Sequence, residues 1–279
     1  MPPRRLRLDA ELVRRGLARS REHAAELIAA RRVSVSGMVA QKPATGVTTD
    51  VAIVVQEDPD RPDFVSRGGH KLAGALAVFG PLGMEVAGRR CLDAGASTGG
   101  FTDVLLRAGA AEVVAVDVGY GQLAWELRSD ERVQVHDRTN IRDLTVEMVG
   151  GPVDVVVGDL SFISLRLVLD ALIGVCAPDA DLALMVKPQF EVGKERVGKG
   201  GVVREPALRT EAVTAVAEAA HRRGWGAQAV ATSPLPGPSG NVEFFLWLRR
   251  GEPRIGAAEI GAEVERASAL TVPGEKVES

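Results

Sequence analysis

Apolar residues in the first part of the chain recur twice at helical spacing and then alternate. Residues 9–15 carry Leu12 and Val13, Gly16 interrupts, and Ser20 stands ready to cap a second helix over residues 21–32. In that helix Ala24, Leu27 and Ile28 form one stripe, with Glu22 and Glu26 outside it. Residues 33–39 then alternate with period two, 42–49 are rich in turn formers, and 51–55 read as a second strand. The pattern predicts a small α+β unit, close to the lower size limit for a domain that folds alone. Residues 58–63, with two prolines and four charges, mark its end. From residue 89 onward the rhythm changes to short buried runs separated by helical stretches. The runs fall at residues 90–93, 112–117, 132–135, 153–159, 182–186, 227–231 and 244–248. Seven strands with helical crossovers predict an α/β fold: a doubly wound, Rossmann-like sheet with helices on both faces and its ligand site at the carboxyl ends of the strands. The predicted layout is a small domain over 1–62, a connector over 63–70, a body over 71–250, and a tail over 251–279 with one short helix near 260–267.

The 279 residues have 46% hydrophobic and 25% charged positions, which excludes disorder. No apolar run reaches about 18 residues, so no membrane helix is expected. The start, Met1-Pro-Pro-Arg-Arg-Leu-Arg, leads into Asp9 and Glu11 rather than an apolar segment, which argues against a secretory signal and for a cytoplasmic protein. Cys91 and Cys176 sit in apolar runs and read as buried thiols, without the spacing of metal ligands. Charge is distributed unevenly. Residues 1–50 hold ten Lys and Arg against five Asp and Glu, and the remainder 24 against 32. A basic head with Arg4, Arg7, Arg14, Arg15, Arg19, Arg21, Arg31 and Arg32 has the electrostatic footprint of phosphate-backbone binding.

The chemistry is expected in the loops of the body. The first strand runs into Asp93-Ala-Gly95-Ala-Ser97-Thr98-Gly99-Gly100-Phe101, where glycines let a ligand approach the backbone and a helix N-terminus follows. Asp117 closes the second strand, where a carboxylate can hold ribose hydroxyls. The loop lacks the middle glycine that admits a pyrophosphate in dinucleotide enzymes. Ser97 in that place, and Asp93 two residues before Gly95, favour S-adenosylmethionine. Asn140, in the turn at 137–140, takes the position beside an adenine. Asp159 ends the fourth strand, with a helix N-cap near Ser161 as its plainer role. Lys187 ends the apolar fifth strand, where desolvation favours its neutral form. Glu243 opens the seventh strand, and Lys71 lies in the helix entering the body. Four such groups at the ends of separate elements suit transfer of a methyl to a ribose 2′-hydroxyl, whose high pKa calls for a base.

Two resemblances sharpen this reading. Arg7-Leu-Asp-Ala-Glu-Leu-Val-Arg-Arg-Gly-Leu-Ala-Arg-Ser-Arg-Glu-His-Ala followed by Val33-Ser-Val-Ser-Gly resembles the RNA-binding domain of ribosomal protein S-four. Arg32 departs from its usual Gly, and Ser36 from its usual Asn. The body resembles FtsJ-type ribose 2′-O-methyltransferases, and the whole chain the haemolysin-A-like (TlyA) family of ribosomal RNA methyltransferases. The matching blocks are Ser66-Arg-Gly-Gly-His-Lys-Leu, Leu92-Asp-Ala-Gly-Ala-Ser-Thr-Gly-Gly-Phe-Thr, Asp159-Leu-Ser-Phe-Ile-Ser, Val186-Lys-Pro-Gln-Phe-Glu-Val-Gly and Ser239-Gly-Asn-Val-Glu-Phe-Phe-Leu. The resemblance implies a tetrad of Lys71, Asp159, Lys187 and Glu243, with Lys187 as base. It implies cofactor contacts at Asp93, Gly95, Ser97, Thr98, Gly99, Gly100, Phe101, Asp117, Asn140 and Asp159. Its implied substrate is a cytidine ribose in 16S RNA and, for longer members, in 23S RNA, as naked RNA or assembled subunits. No metal, membrane or obligatory oligomer is implied. Rival readings are an exocyclic-amine methyltransferase, suggested by the acidic-to-aromatic spacing of Asp159 and Phe162, and a nonenzymatic ribosome-assembly factor. Residues 66–70, with adjacent glycines, are expected to form a connector that changes conformation.

Overall fold

A computed structural model describes residues 5–56 and 63–270. The chain divides into two compact units, Met1–Asp63 and Phe64–Ser279. Arg4, most of the predicted connector start at 58–63 and the end of the predicted tail lie outside the described residues.

In the first unit, helices Leu8–Arg14 and Arg21–Ala29 bury Leu8, Leu12, Ala24, Leu27 and Ile28 against Val33, Ala40 and Val47. Ser20 Oγ accepts the amide of His23 at 3.1 Å, the cap expected from its position. The second helix ends before residue 32 because Arg31 adopts φ 59°, and the amides of Arg31 and Arg32 return to the carbonyls of Ile28 and Leu27. The predicted strand over 33–39 is a hairpin. Val33–Val35 pairs antiparallel with Met38–Val39 across Ser36 (φ 48°) and Gly37 (φ 81°), two successive left-handed residues whose turn matches strand twist. Ile53–Val55 pairs on the other edge, and Leu6–Arg7 pairs with Gly46–Val47 where only turns were expected.

The second unit carries seven strands: β1 (Arg90–Ala94), β2 (Glu112–Val116), β3 (Val133–His136), β4 (Val153–Gly158), β5 (Cys176–Val186), β6 (Trp225–Thr232) and β7 (Phe244–Arg250). Their order is β6-β7-β5-β4-β1-β2-β3, parallel except for β7, which runs antiparallel to both β5 and β6. Alternate side chains feed two cores. Leu92, Val114, Val156, Leu184 and Leu246 face helices α3 (Leu169–Gly174), α4 (Pro206–His221) and α5 (Ala257–Leu270). Cys91, Val113, Val157, Met185 and Trp247 face α1 (Arg67–Phe79) and α2 (Gly100–Arg107). The region read as a tail thus contributes Ile260, Val264 and Ala267 to the core.

Three expectations change. Helical crossovers are not uniform: a single turn, Trp125–Arg128, lies between β2 and β3, and one short turn, Ile141–Asp143, between β3 and β4. No helix begins at Ser161, since residues 160–164 are irregular and Ser164 caps the next turn, so Asp159 is not a helix cap. Of the connector predicted over 63–70, Arg67 to His70 form the first turn of α1. The glycines there serve close packing. A Cβ at Gly69 would lie 2.3 Å from Cβ of Phe64, and one at Gly100 would lie 2.7 Å from the Gly69 nitrogen.

Candidate active site

The carboxyl edge of the sheet assembles the predicted residues. Asp159 follows β4 and Lys187 follows β5. Glu243 precedes β7, and because β7 is antiparallel, with Phe244 opposite Val186, its entrance falls at the exit of β5. Lys71 comes from the second turn of α1. These four side chains form two ion pairs. Nζ of Lys71 donates to Oε2 of Glu243 at 2.5 Å, the two side chains being 8% and 1% exposed. Nζ of Lys187 donates to Oγ of Ser161 at 2.8 Å and lies 2.5 Å from Oδ1 of Asp159, an ion pair without the alignment of a hydrogen bond. Among the described residues, Oε1 of Glu243 has no hydrogen-bond partner.

Beside these pairs a cavity of about 490 Å³ is lined by Gly95, Ser97, Asp117, Asn140 and Asp159 among the predicted residues. Gly95 (φ 85°) is required twice over. Its backbone is left-handed, and a Cβ would approach the Asp159 carbonyl oxygen to 2.9 Å. Asp117 Oδ2 accepts the Ser97 amide at 2.8 Å, and Oδ1 accepts the Gly119 amide at 2.6 Å, so this carboxylate also shapes the glycine loop. Asn140 Oδ1 accepts the amide of Arg142 at 3.1 Å. Asp93 is fully buried. Its Oδ2 accepts from Thr102 Oγ1 at 2.7 Å, while Oδ1 has no partner among the described residues. Burial first, and the nearby Asp159 and Asp117 charges, push its carboxyl up to about 7.

Asp93 itself does not line the cavity, and neither do the remaining predicted cofactor contacts. Thr98 is exposed, Gly99 (φ 97°) packs under Leu123 and Leu127, and Gly100 faces α1. Phe101 is buried against Phe245, with ring centroids 5.8 Å apart, so the structure gives it a core role. Conversely, Val118, Gln122 and residues 160–163 also line the cavity. Residues 160–163 belong to a block that the resemblance marked without assigning them a cofactor contact, while Val118 and Gln122 carried no signal. Glu191, buried, had also gone unassigned. It accepts from Ser164 Oγ (2.6 Å), the Leu165 amide (2.7 Å) and Arg166 Nε (3.1 Å), tying down the loop after Asp159, and burial raises its carboxyl pKa.

The basic residues of the first unit separate into two groups. Arg15 and Arg32 are largely enclosed. Arg15 bonds Glu11 and the carbonyls of Thr49 and Val51, while Arg32 bonds Asp63 and the Gln56 carbonyl. Arg7 and Arg21 pair with Asp9, and Arg14 with Glu11, yet all three keep more than half of their side-chain surface. Arg19 and Arg31 are exposed.

A doubly wound sheet whose carboxyl edge joins a glycine loop, an acidic residue after β2 and a cavity of this size defines a nucleoside-binding site of the Rossmann-like class. Residues 64–250 match the FtsJ-like methyltransferase model and residues 6–53 the S4 domain model, and the chain belongs to the FtsJ-like methyltransferase family. It is 63% identical over 246 residues to the 16S/23S rRNA (cytidine-2′-O)-methyltransferase TlyA of Mycobacterium tuberculosis (strain ATCC 25618 / H37Rv), covering 88% of this chain and 90% of that one. It is 36% identical to Hemolysin A of Brachyspira hyodysenteriae, covering 86% and 98%. A solved structure of a candidate hemolysin from Streptococcus thermophilus superposes with a TM-score of 0.71 at 34% identity, covering 95% and 96%. The cofactor of the family is S-adenosylmethionine, and the site fits it: an unpaired buried acidic oxygen suits an ammonium, and the glycine cradle leaves room for a close ligand. Among the described residues, no helix is long and apolar enough to cross a membrane.

Proposed function

We propose that this chain transfers the methyl group of S-adenosylmethionine to the 2′-hydroxyl of a cytidine ribose in 16S ribosomal RNA, and in 23S ribosomal RNA as well. The observation that carries the reading is the pair of buried lysines, each held by a carboxylate at one sheet edge, with Asp159 of one pair also lining the cavity. The M. tuberculosis relative, named for 16S and 23S cytidine 2′-O-methylation, supports the choice of substrate.

When bound, the cofactor supplies an electrophilic methyl on a sulfonium. Asp93 meets its ammonium, Asp117 and Asn140 its nucleoside. The proton leaving the 2′-hydroxyl passes to Nζ of Lys187, with Asp159 and Ser161 fixing the position of that nitrogen. Lys71 and Glu243 orient the ribose. Surface arginines of the first unit, Arg7, Arg14, Arg19, Arg21 and Arg31, hold RNA phosphates, which orient the substrate without reading its sequence. A ribosomal RNA substrate supports a cytoplasmic location.

The test is transfer of labelled methyl to isolated 30S and 50S subunits and to naked RNA, with the product mapped by reverse-transcription stops at low nucleotide concentration. A ribose methyl on a cytidine, lost in Lys187→Ala, is the expected result. A methyl on a base amine would select the exocyclic-amine reading. Cofactor binding with no transfer to any substrate would select a ribosome-assembly role.

A further inference from the structure

A second cavity, of about 510 Å³, shares Phe162 with the first and is lined also by Gln189, Phe190, Lys194, Gly198 and Gly201. Phe162 belongs to both cavities and is 91% exposed, with a left-handed backbone (φ 64°) and its ring 5.3 Å from that of Phe190. The cavity is tied to both ion pairs through the chain. Gln189 lies two residues beyond Lys187 in the turn Pro188–Glu191. The Gly201 carbonyl accepts from Nδ2 of Asn241, two residues before Glu243, at 2.8 Å.

The polar group of interest here is the Gln189 amide. Its Oε1 is shielded from solvent and has no hydrogen-bond partner among the described residues. A shielded, unpaired carbonyl is costly, and an arriving donor relieves that cost. The terminal torsion of glutamine is broad, so the amide can turn toward the cavity without leaving its rotamer. Resting on the ribose-methylation reading above, we propose that Gln189 is a specificity-determining residue, whose carbonyl accepts from the exocyclic amine of the target cytosine while the base occupies this second cavity. Uracil offers a carbonyl oxygen at the corresponding position and leaves Oε1 unpaired.

The experiment compares cytidine and uridine at the mapped target position in otherwise identical RNA, using wild type and Gln189→Met, which keeps length and removes both polar ends. The expected result is a cytidine preference in kcat/KM that falls by about 10- to 100-fold in Gln189→Met. Uridine transfer, cofactor affinity and melting temperature should stay near wild type. Equal loss on both substrates, or an unchanged preference, overturns the assignment of Gln189 while leaving ribose methylation standing. Wild-type product methylated elsewhere than on ribose overturns both, and product analysis separates the two cases. Gln189→Glu supplies a second check: it retains an acceptor without a donor, and should keep the cytidine preference that Gln189→Met loses.

Discussion

The buried Lys71–Glu243 pair makes a quantitative prediction. In Lys71→Met, Glu243 loses the donor to Oε2, and since Oε1 already lacks one, a carboxylate that is 1% exposed stands without a side-chain partner. Removing one member of a buried pair costs about 3–5 kcal/mol, because the remaining charge is uncompensated. For a domain of this size each kcal/mol moves the midpoint by about 2–4 °C, so the second unit should melt roughly 6–20 °C lower. Glu243→Gln in the same background removes the stranded charge, and the double variant should recover at least about 2 kcal/mol, read as a coupling energy. Tryptophan fluorescence is the assay, since Trp125, Trp225 and Trp247 all fall in Phe64–Ser279 and the last two are buried. Additivity of the two substitutions within about 0.5 kcal/mol would refute the argument, because it would show that the carboxylate is solvated and the pair contributes no specific interaction.

Further predictions concern charge and packing. Asp93, held up near pH 7 in the folded chain against an ordinary 3.8, makes folding less favourable as pH rises from about 4 to about 7 and has a constant effect beyond; Asp93→Asn should abolish that slope in denaturant melts. Binding of the cofactor ammonium favours the ionised carboxylate, so calorimetry in buffers of different ionisation heat should show proton release near neutral pH, absent in Asp93→Asn. In the first unit Arg14 and Arg15 draw Glu11 down to about 2, so its contribution is present above pH 4.5 and lost as pH falls toward 2. Hydrogen exchange over residues 5–56 of the whole chain should register that loss, and Glu11→Gln should show it already at neutral pH. Gly100→Ala places a Cβ 2.3 Å from Ser66 Oγ and 2.7 Å from a backbone nitrogen, forcing α1 and α2 apart, and should cost about 1–3 kcal/mol in the tryptophan assay.

The strands of the body were legible because most of them carry a short apolar run buried on both faces, the edge strand β3 being only half-buried, and chemistry at strand ends pointed to one edge of the sheet. Which lysine pairs with which carboxylate was not legible. That depends on the antiparallel course of β7 and on the approach of α1, and neither leaves a local signature. The packing of Phe101 was not legible either: the resemblance implied a ligand contact there, and the first turn of α2 sets its ring against Phe245. The basic head shows the limit of counting charge. Six arginines look equivalent in a string, but Asp9 and Glu11, buried by their helix, take Arg14, Arg15 and Arg21 as partners, and Arg15 becomes a strut reaching Val51. The turn at Ser36 was missed because serine seldom adopts a left-handed backbone, and only the paired strands reveal that it must.

The antiparallel last strand also explains why the site depends on residues that carry no chemistry. Asp159 and Lys187 leave the sheet at strand exits, where the loops can be held from below by Glu191. Glu243 enters the sheet instead, so the chain must return across the edge before reaching it. Gly237 lies on that return, and a Cβ there would sit 2.5 Å from Oε1 of Glu243. The Ser233 amide meets the Glu243 carbonyl at 2.8 Å, and buried Asn241 accepts the Val203 amide at 2.9 Å while donating to Gly201. A carboxylate buried this deeply keeps its lysine in one position only if its backbone is held from both sides. On the proposed tetrad, precision would rest on Gly237, Asn241 and Glu191, and reshaping any of them should lower the rate of transfer while leaving Lys71, Asp159, Lys187 and Glu243 in place.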